Sequence, residues 1–302
     1  MIVNAQALRN ANIGFKKLYQ NAFEAVERRY PLVAMETRST TAANDYKWLG
    51  QIPGLREWLD EKVVHNLAAH GYYLPNKDYE VTIGVDRNDI EDDQLGIYEP
   101  RIQAIGDAAA RHPDLLVWEA LVAGLAGGQG FDGVNFFSTA HPTDGVDPAN
   151  GTYANRPAVL GTGEVWFLMD DTRPVKPMIF QKRKDYTFVA QTTPESPDVF
   201  NTRTFKYGIE ARVAVGYGLP QLIYASREPL NATSYAAARM ALASIKRPDG
   251  SPLGIRGTRL IVGEGNFEAA NVLLTNDRDV NGATNTWKGT AKLSVVEYLT
   301  GK

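Results

Sequence analysis

The sequence predicts an α+β protein whose helical and β parts are segregated along the chain. Apolar residues recur at three- and four-residue steps over residues 8–30, and again over roughly 91–127. Between them, Tyr79, Val81, Ile83 and Val85 alternate with Glu80, Thr82, Gly84 and Asp86, the period of a strand with one apolar face. After residue 164, short runs rich in β-branched and aromatic residues follow one another, separated by turn residues. With 302 residues, 44% of them hydrophobic and 22% charged, the chain suffices for several packed subregions around a sizeable core.

The first element is an amphipathic helix. Phe15, Leu18, Tyr19, Phe23, Val26 and Tyr30 form its apolar stripe, and Lys16, Lys17, Glu24, Glu27 and Arg28 mostly fill the other face. Pro31 is expected to end it, because a proline pushes the residue before it out of the helical region. The stripe suits either the chain's own core or a neighbouring molecule. Residues 37–45 are small and polar, as in an exposed loop. Residues 46–86 carry Tyr46, Trp48, Trp58, Tyr72, Tyr73 and Tyr79 around a Pro53-Gly54 turn. They read as a long extended excursion ending in the alternating strand. An excursion of this kind has little core of its own, so its rings need cover.

The acidic run Asp86, Asp89, Glu91, Asp92 and Asp93 precedes a long helix. There, carboxylates face free backbone N–H groups and the positive end of the macrodipole, each contact contributing on the order of 0.3–1 kcal/mol. Ile102, Ile105, Ala109, Leu116 and Ala120 hold one stripe of the helix; Leu115, Trp118, Val122 and Leu125 hold an adjoining one. Pro100 suits its first turn, Pro113 is expected to kink or restart it, and Gly124, Gly127, Gly128 and Gly130 to end it. A loop-rich stretch follows over 129–164. Then VWFLMD, PMIFQKR, YTFVAQ, FNTRTFKYG and ARVAVGYG read as short strands. Residues 234–246 read as a helix capped near Asn231 or Thr233, RLIVGE as a buried strand, NFEAANVLLTN as a helix and AKLSVVEYL as a closing strand.

Composition narrows the function. A net charge of −3 and the lack of a long Lys/Arg block argue against a protein that grips nucleic acid. The short run Gln181–Lys184 is expected to be a solvated strand end. With no cysteine there are no disulfides, thiolate ligands or Cys nucleophile. The first residues show no apolar stretch after a basic start, so no secretory signal is expected, and no apolar window approaches the roughly eighteen residues of a membrane span. The acidic run lacks the alternating positions, turn glycine and distal Glu of a calcium loop. His65 and His70 are not at the spacing of a zinc-binding His pair. His141 lies in Ala-His-Pro-Thr-Asp-Gly, with Asp144 as its candidate partner. GGQGFDG (127–133) follows a helix. GEGNFEA (263–269) joins a strand to a helix but lacks the dinucleotide fingerprint and the Gly-Lys-Ser/Thr of a P-loop. No nucleophile, base and oxyanion stabiliser come together, so no catalytic residue, metal or cofactor is expected. A metal-dependent hydrolase using Asp89, Glu91 and Asp92 is the weakest of the readings considered.

The positive signal is a set of segments that need a partner. YKWLGQIPGLREW, NKDYEVTIGVDRNDIEDDQLGIYEP and RHPDLLVWEAL resemble the major head (capsid) subunits of Mu-like bacteriophages and prophages. FDGVNFFSTAHP, KPMIFQKR, YGIEARVAVGYG and LGIRGTRLIVGEGNFEAANVLL fit the same family in the same order. The resemblance implies the Hong Kong 97 type phage capsid fold: residues 1–45 as N-terminal arm, 46–90 as extended E-loop, 91–228 as spine helix and P-domain, and 229–302 as an A-domain segment. It also implies a subunit that assembles with copies of itself, in hexamers and pentamers, around double-stranded DNA that it does not bind specifically. Scaffold, portal and decoration proteins are further partners it implies, and the virion the location, with the host cytoplasm during assembly. An encapsulin-like nanocompartment shell is the alternative container. On this reading Phe15, Tyr19, Phe23, Tyr46, Trp48, Arg56, Glu57, Trp58, Tyr72 and Tyr73 are the candidate inter-subunit contacts, aromatic and Arg residues being enriched at interface hot spots.

Overall fold

The computed structural model describes residues 5–49, 71–92, 95–193, 196–278 and 282–302. Arg56, Glu57, Trp58, His65 and His70 lie outside them. Helix α1 (Ala5–Ala25) opens the chain. It stops short of Tyr30, because the amides of Arg29 and Tyr30 are taken by the distant Asp114 carboxylate instead of by a preceding helical turn. A 3-10 turn with Pro31 in its first positions then leads into β1 (Ala34–Arg38). β2 (Ala43–Asp45) and β3 (Tyr73–Pro75) form a short antiparallel ribbon, and β4 (Lys77–Asp86) is the alternating strand.

The acidic run does not open the long helix. Asp86 caps a separate short helix, α2 (Arg87–Glu91), accepting from the Asn88 amide at 2.8 Å. Asp89 accepts the Tyr98 hydroxyl. The long helix α3 (Glu99–Ala123) starts later, with Pro100 in its first turn and Gly124 as C-cap. Pro113 does not restart α3. The interior-proline cost of about 3 kcal/mol is offset by the buried face around it, Ala109, Ala110, Val117, Trp118 and Leu121.

The ribbon β5 (His141–Pro142) with β6 (Thr152–Tyr153) pins the loop-rich stretch, and β7 (Trp166–Met169) follows. The next four expected short strands merge into two long ones. PMIFQKR and YTFVAQ form β8 (Met178–Gln191). Phe200, Asn201 and Thr202 belong to a short helix, α4 (Pro197–Thr202), capped by Ser196, and the rest of that run joins ARVAVGYG in β9 (Thr204–Tyr217). The cationic run is therefore interior to β8. Lys182 pairs with Glu36 at 2.8 Å and Lys184 with Glu210 across the ladder, where register irregularities absorb the local misfit. The chain closes with β10 (Ile223–Ser226), α5 (Ala232–Ala243), β11 (Arg259–Val262), α6 (Phe267–Leu274) and β12 (Lys292–Val295). Asn231 caps α5 in a reciprocal box with Ser234.

Two four-stranded sheets organise these elements, in the orders β1-β8-β9-β4 and β10-β7-β11-β12. β7 joins their cores through strand alternation. Trp166 and Leu168 pack with α5 and α6, while Phe167 and Met169 pack with Val117, Trp118 and Leu121 of α3. The sheet of residues 229–302 thus draws β7 and β10 from earlier in the chain. A third core seats Leu8, Phe15 and Tyr19 of α1 against α3, β4 and β9.

Candidate assembly surface

The candidate contact residues divide by how much of each the chain itself covers. On α1, Phe15 meets Tyr207 of β9 edge-on, with ring centroids 5.0 Å apart. Tyr19 stacks on Phe188 of β8 at 5.6 Å and donates its hydroxyl to the Tyr186 carbonyl at 3.2 Å. Burial pushes the Tyr19 hydroxyl up to about 12, against an opposing pull from Arg28. Phe23 is half-buried between Tyr186 and the Arg28 guanidinium, which lies 4.5 Å above its ring. The stripe that suited either core or neighbour is seated on its own chain.

At the root of the expected excursion, Tyr46 is buried, its hydroxyl bonded to Thr37 Oγ1 at 2.6 Å and to Gln181 Oε1 at 2.7 Å. Gln181 in turn donates to the Leu74 carbonyl and to Asn76 Oδ1. This small polar network ties the β2–β3 ribbon to β8. The Tyr72 hydroxyl accepts the Tyr217 amide at 3.0 Å, and burial raises its proton affinity. Tyr73, the next residue and the first of β3, points the other way and is 68% exposed. Trp48 sits in the 3-10 turn Lys47–Leu49. Among the candidates whose side chains are described, Tyr73 is therefore the large ring that the chain leaves open.

The histidine reading changes. His141 is fully buried, and its partner is Asp132, not Asp144: Nδ1 lies 2.6 Å from Asp132 Oδ2. Nε2 faces Phe136 O and Asn155 Oδ1, and the ring stacks on Tyr153. Asp144 instead shapes its own turn, accepting from the Val146 and Asp147 amides and from Asn150 Nδ2. The buried pair braces a loop. Asn155 does the same, donating to the Phe136 and Pro220 carbonyls while accepting the Ser138 amide.

One surface escaped the sequence reading. His112 on α3 bonds Tyr186 of β8 at 2.6 Å and meets the Tyr79 ring at 4.5 Å, flooring an apolar groove of about 350 Å³ between α3 and the outer strand β4. Burial holds His112 below its ordinary value, Glu119 opposing. The alternation at 79–85 was the signal available: the apolar strand face is left open at Val81, which is 41% exposed.

The comparisons match this architecture over nearly the whole chain. The family described as Mu-like prophage major head subunit gpT matches residues 8–299. The major capsid protein of Escherichia phage Mu is 34% identical, the alignment covering 99% of this chain and 100% of that one. The procapsid of bacteriophage JBD30 aligns with a TM-score of 0.83 at 36% identity, over 98% of this chain and 100% of that one. The JBD30 capsid decorated with minor capsid protein trimers aligns at 0.72 and 30% identity, over 91% and 92%. On these full-length matches, the chain has the Hong Kong 97 type capsid fold and belongs to the Mu-like prophage major head subunit family.

Proposed function

We propose that this chain is the shell-forming subunit of a Mu-like phage head, acting structurally and without catalysis. The full-length likeness to Mu and JBD30 shell subunits carries the reading. Copies close into an icosahedral shell of hexamers and pentamers around double-stranded DNA, in the virion, after assembly in the host cytoplasm. Residues 1–45 serve as arm, 46–90 as E-loop, 91–228 as spine helix and P-domain, and 229–302 as the A-domain segment. The exposed Tyr73 supports a role for the E-loop root in contacting a neighbour. Each subunit meets several neighbours, so individually weak contacts accumulate by multivalency. A net charge of −3 suits a container that holds DNA without gripping it. Scaffold, portal and decorating proteins are further partners of such a shell.

The test is to express the full chain, purify particles and image them by electron microscopy with a nucleic-acid stain. Closed, regular shells are expected. A chain that stays monomeric across concentration, with and without co-expressed head proteins of its phage, overturns the reading.

A further inference from the structure

β4 is an edge strand: it pairs with β9 and, among the described residues, with no strand on its other side. The register identifies which backbone groups face outward. The Val81 carbonyl lies where a Cβ on Gly208 of β9 would strike it. The Arg87 amide, just past the strand, donates to the Arg203 carbonyl. Odd-numbered residues therefore bond β9, and even-numbered ones point away. In agreement, the Asp86 amide donates not to β9 but to the Tyr98 hydroxyl, at 3.3 Å. Asp78, Glu80, Thr82 and Gly84 are left presenting N–H and C=O groups along an open edge of about 20 Å.

The apolar groove runs beside that edge. Tyr79, Val81, Ile105, Ala108, His112 and Tyr186 line it. On the opposite face of β4, Asp78, Glu80 and Thr82 are exposed. Arg212 reaches Asp78 at 3.4 Å, while Glu80 accepts only the Thr82 hydroxyl among the hydrogen bonds of the described residues. Asp86 at the strand's end and Asp92 beyond it add exposed carboxylates. An added strand sets alternate side chains over the groove and the intervening ones beside these carboxylates. A second β4 would bring carboxylates to carboxylates, so the complementary strand is cationic.

We infer that the β4 edge and its groove bind, by strand addition, an extended segment of another protein in which apolar and cationic side chains alternate. Main-chain bonds to residues 78–84 supply affinity, the groove selects the apolar positions, and Asp78 and Glu80 select the cations.

The probe is a blocked nonapeptide of alternating Val and Lys, titrated against the full-length protein and followed by fluorescence anisotropy. Saturable binding is expected, weakening at least tenfold when alternate peptide amides are N-methylated. Thr82→Pro removes an outward N–H while leaving the β9 ladder intact, and is expected to cause the same loss with an unchanged thermal midpoint. If that variant fails to fold, the N-methylated peptide carries the test alone. E80K is expected to weaken binding several-fold and flatten its salt dependence. Absence of binding, or equal binding of the N-methylated peptide, overturns the inference. So does slow hydrogen exchange at the Asp78, Glu80, Thr82 and Gly84 amides in the free protein, because the edge would then already be covered by its own chain or a second copy.

Discussion

Asp114 shows how one side chain can decide where an element ends. Buried on α3, it accepts the amides of Arg29 and Tyr30 and so fixes the exit of the chain from α1. Burial raises its proton affinity, with the two backbone donors opposing. The sign follows: a carboxyl raised in the folded state carries a penalty while ionised, and folding gains stability as pH falls through the raised value toward about 3.9. Asp114→Asn keeps an acceptor and discards the charge, so its unfolding free energy should stay close to wild type at neutral pH and lose that gain on mild acidification. Asp114→Ala strands two amides and should cost about 1–3 kcal/mol by urea unfolding. None of this was legible in sequence, where Asp114 is one acid after a proline. The same holds for His141, whose true partner Asp132 is nine residues upstream, beyond a turn that only the folded loop closes. Asp132→Ala should therefore destabilise by about 1–3 kcal/mol, whereas Asp144→Ala should cost less, because that turn is exposed.

At the level of elements, periodicity found every helix of more than six residues among the described residues, and the alternating strand β4, because each carries one continuous apolar stripe. It divided β8 and β9 too finely. Turn-like residues such as Lys184 and Asp185 looked like a boundary, but the strand continues because its cations find carboxylates across the ladder and register irregularities take up the strain. Those pairs give the sheet an acid-sensitive side. Burial pushes Glu36 up, yet bonds from Lys182 and Tyr30 outweigh it and hold the group below its ordinary value. Asp171 behaves alike, Thr258 and Arg259 outweighing its burial. A depressed carboxyl contributes stability that is fully present above its unfolded pKa, about 4, and is lost as pH falls through the folded value. The thermal midpoint should accordingly drop below about pH 4, and the double variant Glu36→Gln, Asp171→Asn should show a shallower drop from a lower starting point.

For the whole molecule, the question is which aromatic rings hold the subunit together and which hold subunits to one another. The sequence supplied the roster but could not sort it, since an amphipathic stripe or a Trp-rich loop looks the same whether covered from within or from outside. The fold sorts part of it. Phe15 and Tyr19 are enclosed by β8, β9 and α3, so Phe15→Ala should cost the monomer about 3–5 kcal/mol and reduce shells only as a consequence of lost folded protein. Tyr73 is open, and Trp58 belongs by sequence to the excursion that shares its root. Tyr73→Ser and Trp58→Ala should leave the monomer's thermal midpoint near wild type and lower particle yield roughly tenfold, the effect of about 1.4 kcal/mol at the contact. Measuring both quantities on each variant separates the two roles. If Trp58→Ala unfolds the monomer while shells still form normally at permissive temperature, the ring is a core residue of its own subunit, and the contact between neighbours must be sought on another surface.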